Sequence, residues 1–106
     1  MANNYKNAKI DLTNTNLTAV ITAATGSTII VKSILASEDA GSTPSLTLTL
    51  VNGSDIFNLY KDKAFSSKQT LELISQPLVI SSGEILKAQA SAGNQLHIIV
   101  SYLEIT

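Results

Sequence analysis

Apolar residues in this chain recur at every second position. Ala8, Ile10 and Leu12 are separated by Lys9 and Asp11, and Leu46, Leu48 and Leu50 by Thr47 and Thr49. Leu71 and Leu73 flank Glu72, and Leu96, Ile98, Val100 and Tyr102 alternate with His97, Ile99 and Ser101. A side-chain period of two is the pattern of a strand with one buried face. No stretch of a dozen residues carries the three- and four-residue spacing that an amphipathic helix needs. Ile, Val and Thr, which suit a pleated surface, make up 28 of the 106 residues.

Turn signals fall between the alternating runs. They are Ala24-Thr25-Gly26-Ser27, Asp39-Ala40-Gly41-Ser42-Thr43-Pro44, Asn52-Gly53, Ser81-Ser82-Gly83 and Ala92-Gly93-Asn94. Asn52-Gly53 is the strongest hairpin signal, because a type I′ turn needs positive φ at both central residues. The five glycines all sit in predicted turns, where positive φ accounts for them. About nine short strands result, at 5–12, 17–22, 28–37, 45–51, 55–61, 69–74, 77–80, 84–91 and 95–105. Short strands at regular spacing without helices predict an all-β antiparallel β-sandwich, jelly-roll-like or immunoglobulin-like. Residues 62–68, with Ala64 and Phe65, read as a tethered crossing loop. A length of 106 residues fits one domain over 1–106, with the polar, Asn-rich residues 1–9 either a frayed tail or an N-terminal arm able to dock on a neighbouring subunit.

Charge narrows the partners. Only 15 residues are charged, or 14%, against a usual value of about 25%. There is no Arg, the net charge is −1, and 32 Ser, Thr and Asn residues supply the polar surface instead. This balance builds no basic face for nucleic acid. The longest apolar runs are three residues, such as Ile29-Ile30-Val31, Leu78-Val79-Ile80 and Ile98-Ile99-Val100, so no membrane partner is expected. The N-terminal stretch MANNYKNAK has no apolar segment behind its lysines and does not read as a signal peptide. With no Cys, there are no disulfides and no thiol nucleophile.

The remaining residues supply no reaction chemistry. His97 is the only His and has no nucleophile or orienting acid near it in sequence, so it reads as a surface or interface residue. Glu38-Asp39 is the only adjacent acidic pair and reads as a solvated turn rather than a calcium loop. No glycine-rich phosphate loop, metal-ligand spacing or triad is present, so neither enzyme, metal nor cofactor is expected. The aromatics Tyr5, Phe57, Tyr60, Phe65 and Tyr102 include no Trp, and packing in a core or interface accounts for them better than sugar stacking.

An interface is the more natural use of this surface. The last strand is apolar on both faces near Ile98-Ile99-Val100, as a strand between a core and a partner would be. The candidate contact residues are Asn3, Asn4 and Tyr5 in the arm, Thr47 and Thr49 on an outward strand face, the aromatics Tyr60 and Phe65, and Ile99 on the last strand.

From Leu17 to Ile105 the layout resembles small virion structural proteins of tailed phages, many from marine and cyanobacterial hosts. The resemblance is carried by Thr28-Ile29-Ile30-Val31-Lys32-Ser33-Ile34-Leu35 after a glycine turn, by Ser45-Leu46-Thr47-Leu48-Thr49-Leu50-Val51, by 78–91, and by the ending Ser101-Tyr102-Leu103-Glu104-Ile105. Ala23-Ala24-Thr25-Gly26 stands where such proteins often have a Pro-Ala-Gly turn, and Gly26 keeps the turn. The resemblance implies a β-sandwich module of the virion. Low charge, the lack of a catalytic set and strands apolar on both faces make a non-enzymatic capsid decoration (cement) protein, made in the host cytoplasm, the expected role. Its partners would be the major capsid protein or another virion protein and further copies of itself, with a trimer favoured. The alternatives are a tail, neck or fibre component, or a carbohydrate-binding module.

Overall fold

A computed structural model describes residues 3–106, which form nine strands and no helix. The strands are β1 (Asn3–Leu12), β2 (Thr18–Thr22), β3 (Thr28–Glu38), β4 (Ser45–Asn52), β5 (Asp55–Ala64), β6 (Thr70–Glu72), β7 (Leu78–Ile80), β8 (Ile85–Ala90) and β9 (Leu96–Ile105). All pairings are antiparallel. One sheet runs β1-β9-β3-β6 with β7 also on β3, and the other runs β2-β8-β4-β5. The result is an antiparallel β-sandwich.

The strand order selects between the two expected sandwich types. β6 bonds Leu35–Ser37 and β7 bonds Ile29–Val31, so they are two halves of one strand along β3. The break between them contains Pro77, which has no N–H to give to a ladder. Counted so, there are eight strands, and the chain changes sheet at every step except the β4–β5 hairpin. That is the jelly roll, not the immunoglobulin order.

The core forms where the inward sets of both sheets meet. Ile29, Val31, Ile34 and Ala36 from β3 and Leu96, Ile98 and Val100 from β9 face Leu46 and Leu48 from β4 and Leu86, Ala88 and Ala90 from β8. Large residues oppose small ones across β4 and β8, with Leu46 beside Ala90 and Leu48 beside Ala88. A bulge at Lys32 inserts one extra residue opposite β9. It switches the inward parity of β3 from Ile29 and Val31 to Ile34 and Ala36, so both halves of a long strand stay in register with the core.

Three expectations change at this level. The hairpin turn is Gly53-Ser54 rather than Asn52-Gly53, since Asn52 still pairs with Asp55. Only Gly53 has positive φ there (63°), the pattern of a II′ turn. Gly93 is not at positive φ; a Cβ there would lie 2.6 Å from the Thr13 carbonyl oxygen, so close backbone approach explains it. The segment expected as an arm is, from Asn3 onward, an edge strand hydrogen-bonded to β9 of the same chain. Lys6 Nζ donates to Glu104 Oε1 at 2.7 Å across that pair. Met1 and Ala2, the rest of that segment, lie outside the described residues.

Thr49 corrects another expectation. Alternation places it on the outward side of β4, but it is only 2% exposed. β4 is an interior strand, and Thr49 is hemmed in by Lys87 on β8 and Asn58 on β5. Its hydroxyl has no hydrogen-bond partner among the described residues. An unpartnered buried hydroxyl costs about 1–3 kcal/mol. Thr49→Val, which keeps the shape and removes the oxygen, is expected to stabilise the domain by about 1 kcal/mol, measured as a shifted urea midpoint.

Glu38, read from sequence as part of a solvated turn, is 2% exposed at the inward end of β3. Its Oε1 accepts from the Gly41 and Lys68 amides at 2.9 and 2.8 Å, and its Oε2 from the Ala40 amide at 2.9 Å. One carboxylate therefore ties the 39–44 loop to the 66–69 turn. Burial pushes its pKa up, but the amides of Lys68, Ser42, Ala40 and Gly41 together hold it below the ordinary 4.5. A carboxyl lowered on folding stabilises the protein above its unfolded pKa, and that contribution is lost as pH falls through the folded value. Glu38→Gln is expected to lower the melting temperature at pH 7 and to flatten the loss of stability below about pH 4.5, followed by thermal melts at successive pH values.

Candidate functional interface

The outer face of the five-stranded sheet is set by register. Cross-strand neighbours on one face of a sheet form rows; one of these rows is apolar throughout and another is apolar at its centre, where water would be expected. One runs Tyr5, Leu103, Ile30, Val79 across β1, β9, β3 and β7. The other runs Lys9, Ile99, Leu35, Glu72 across β1, β9, β3 and β6. Tyr5 is 79% exposed, Val79 52%, Ile99 43% and Leu35 37%. Between them lies a polar row of Asn7, Ser101 and Ser33 beside the Lys32 bulge.

The far end of the face is polar. His97 Nε2 lies 3.2 Å from Asp11 Oδ1, and His97 Nδ1 lies 3.4 Å from Asp39 Oδ2. The ring therefore sits between β1 and the loop after β3. Next to it the Ser37 and Thr70 hydroxyls are 3.1 Å apart.

A second apolar surface lies on β5. Ile56 is 57% and Phe57 58% exposed near the tip of the β4–β5 hairpin. Further along the strand, Leu59 and Tyr60 line a groove of about 390 Å³ with Leu73, Ile74, Pro77 and Leu78. The rest of this edge is bulged, with Asp62 at positive φ (53°). Lys61, Asp62 and Lys63 put charge along it. Bulges and lysines are the features that keep a free edge from pairing with other strands.

The eight residues expected at an interface separate into groups. Asn3, Tyr5 and Ile99 share the outer face of the five-stranded sheet, while Asn4 is exposed opposite Glu104 on the other side of β1. Tyr60 belongs to the β5 groove. Thr47 lies on the outer side of the four-stranded sheet, where its hydroxyl accepts from the Asp62 amide at 3.1 Å. Thr49 is enclosed on the outer side of the four-stranded sheet, and Phe65 is inside the fold. Phe65 is 2% exposed because the chain turns inward after β5, with its amide donating to the Pro44 carbonyl at 2.9 Å.

Sequence reasoning missed Leu35, Val79, Ile30, Leu103, Ile56 and Phe57. A signal for three of them was present. In the three-residue apolar runs 29–31, 34–36, 78–80 and 98–100 the middle residue is the one that points outward, and Ile30, Leu35, Val79 and Ile99 all lie on one face.

No protein-family model and no curated protein matches the chain. Among solved structures, it is similar to a chain of the acidic stable capsid structure of Helicobacter pylori bacteriophage KHP30. The TM-score is 0.54 and the identity 9%, over 100% of this chain and 89% of that one. A pentameric capsid protein isolated from metagenomic phage sequences matches with TM-score 0.48 and 16% identity, over 95% of this chain and 59% of that one. The first of these likenesses is one of fold.

Proposed function

We propose that this chain is a non-enzymatic structural protein of a tailed-phage virion. Its role is that of a capsid decoration (cement) protein, seated on the major capsid protein or another virion protein. The observation that carries this reading is the outward apolar set held in place by strand register: Tyr5, Leu35, Val79 and Ile99 on one face, with Ile56 and Phe57 on a separate edge. A small coat protein needs contacts to neighbouring copies and to the shell beneath, and two separate apolar surfaces serve both. Low charge agrees with this use, because charges are depleted at interface cores.

The fold adds support by analogy. Jelly rolls occur in viral capsid domains and also in lectins and cupins, so the fold alone decides no function. The KHP30 capsid chain is matched over 89% of its length by all 106 residues here, so the two are of similar size. Copies pack symmetrically in this reading, as a trimer or another symmetric oligomer. Particles lacking the protein are expected to open at lower temperature than complete ones, and added purified protein is expected to bind and restore them. Unchanged heat stability, with no binding of the added protein, contradicts the reading.

A further inference from the structure

The outer face of the five-stranded sheet has an internal symmetry that is visible only once the register is known. Its strands lie in the order β1, β9, β3 and then β6 with β7. A twofold axis parallel to the strands, placed between β9 and β3, lays each row of one copy against the same row of a second copy, reversed. The row Lys9, Ile99, Leu35, Glu72 then sets Lys9 over the second copy's Glu72, and Ile99 over its Leu35. The row Tyr5, Leu103, Ile30, Val79 sets aromatic and aliphatic side chains on aliphatic ones. The polar row Asp11, His97, Ser37, Thr70 sets Asp11 over a threonine hydroxyl and His97 over a serine hydroxyl. Apolar meets apolar, polar meets polar, and at both ends lysine meets glutamate.

We infer that this face is a self-complementary contact and that its occupant is a second copy of the chain, packed sheet to sheet about a twofold axis. The inference concerns the free protein and does not rest on the capsid reading. A twofold interface uses the same patch on both subunits, so a pattern that complements its own reversal is what it requires. Sheets stacked in this way lie about 10 Å apart with strands roughly 30° from parallel, which keeps the rows facing near the axis. Four strands at about 4.8 Å and nine residues at about 3.4 Å give a face of roughly 590 Å². The pair then buries about 1,200 Å² before side-chain relief is counted, at the lower end of the range for specific interfaces. One residue opposes the contact: Lys32, exposed at the bulge on β3, comes close to its own symmetry copy. The free dimer is therefore expected to be weak, in the micromolar range.

The test uses the charged ends, because Lys9 and Glu72 are both exposed and can be exchanged without entering the core. In Lys9→Glu the two ends become Glu against Glu, and in Glu72→Lys they become Lys against Lys. Sedimentation equilibrium at low salt is expected to show wild-type dimers and each single variant weakened roughly ten-fold. Mixing the two variants restores a lysine–glutamate pair at both ends, so a heterodimer of wild-type strength is expected. Lys32→Ser is expected to tighten the wild-type dimer. The inference is overturned if the wild type stays monomeric throughout, if the single variants associate as the wild type does, or if the mixture associates no better than its components. Matching circular dichroism of all variants separates these outcomes from unfolding.

Discussion

Leu48→Ala is expected to cost about 3 kcal/mol, within the 2–5 kcal/mol seen for buried Leu-to-Ala changes. Leu48 is 0% exposed on β4, an interior strand of the four-stranded sheet. Its partner across β8 is Ala88, which has no side-chain length to fill the space left behind. A domain of this size has a net stability of roughly 5–15 kcal/mol, so this one change removes a large share of it. The melting temperature is expected to fall by roughly 15 °C. Thr47→Ala, one residue away, removes the hydroxyl that caps the β5 bulge and is expected to cost much less. Comparable losses at the two positions would mean that the inward parity of β4 is wrong.

Ile99→Lys is expected to have the opposite signature, with little effect on folding and a large effect on assembly. Ile99 is 43% exposed on the outer face of the five-stranded sheet, so a lysine there can extend into water. Surface changes of this kind usually stay within about 0.5 kcal/mol of wild-type stability. At the centre of the face the same lysine would be buried against a second apolar row, and occupancy on particles is expected to fall at least about ten-fold. Thr22→Lys, at an exposed position of β2, serves as the matched control and should leave both stability and occupancy unchanged. Equal occupancy for the two variants would move the functional surface elsewhere, first to Ile56 and Phe57 at the hairpin.

Most of the architecture was legible because alternation is a local property. All nine strands fall close to the positions that the period-two runs mark, and the sandwich follows from them. Departures arise where distant segments decide the outcome. Thr49 points outward as alternation says, yet it is enclosed by β5 and β8, which lie beside β4 only in the folded sheet. Glu38 sits next to Asp39 and a glycine, which reads as a turn, and its burial depends on Lys68, 30 residues later. The Lys32 bulge is equally hidden, since no residue near it announces that the parity of β3 will change. The interface was half legible for the same reason. Ile99 could be read from its own strand, but the alignment of Ile99 with Leu35, and of Tyr5 with Val79, exists only across strands.

The number of copies of this chain in purified particles tests the central claim most directly. Quantitative mass spectrometry against the major capsid protein is expected to give hundreds of copies per particle, the stoichiometry of a protein repeated over a symmetric shell. A few to tens of copies would place it at the neck, baseplate or fibre. Its absence from purified particles would contradict a structural role in the virion.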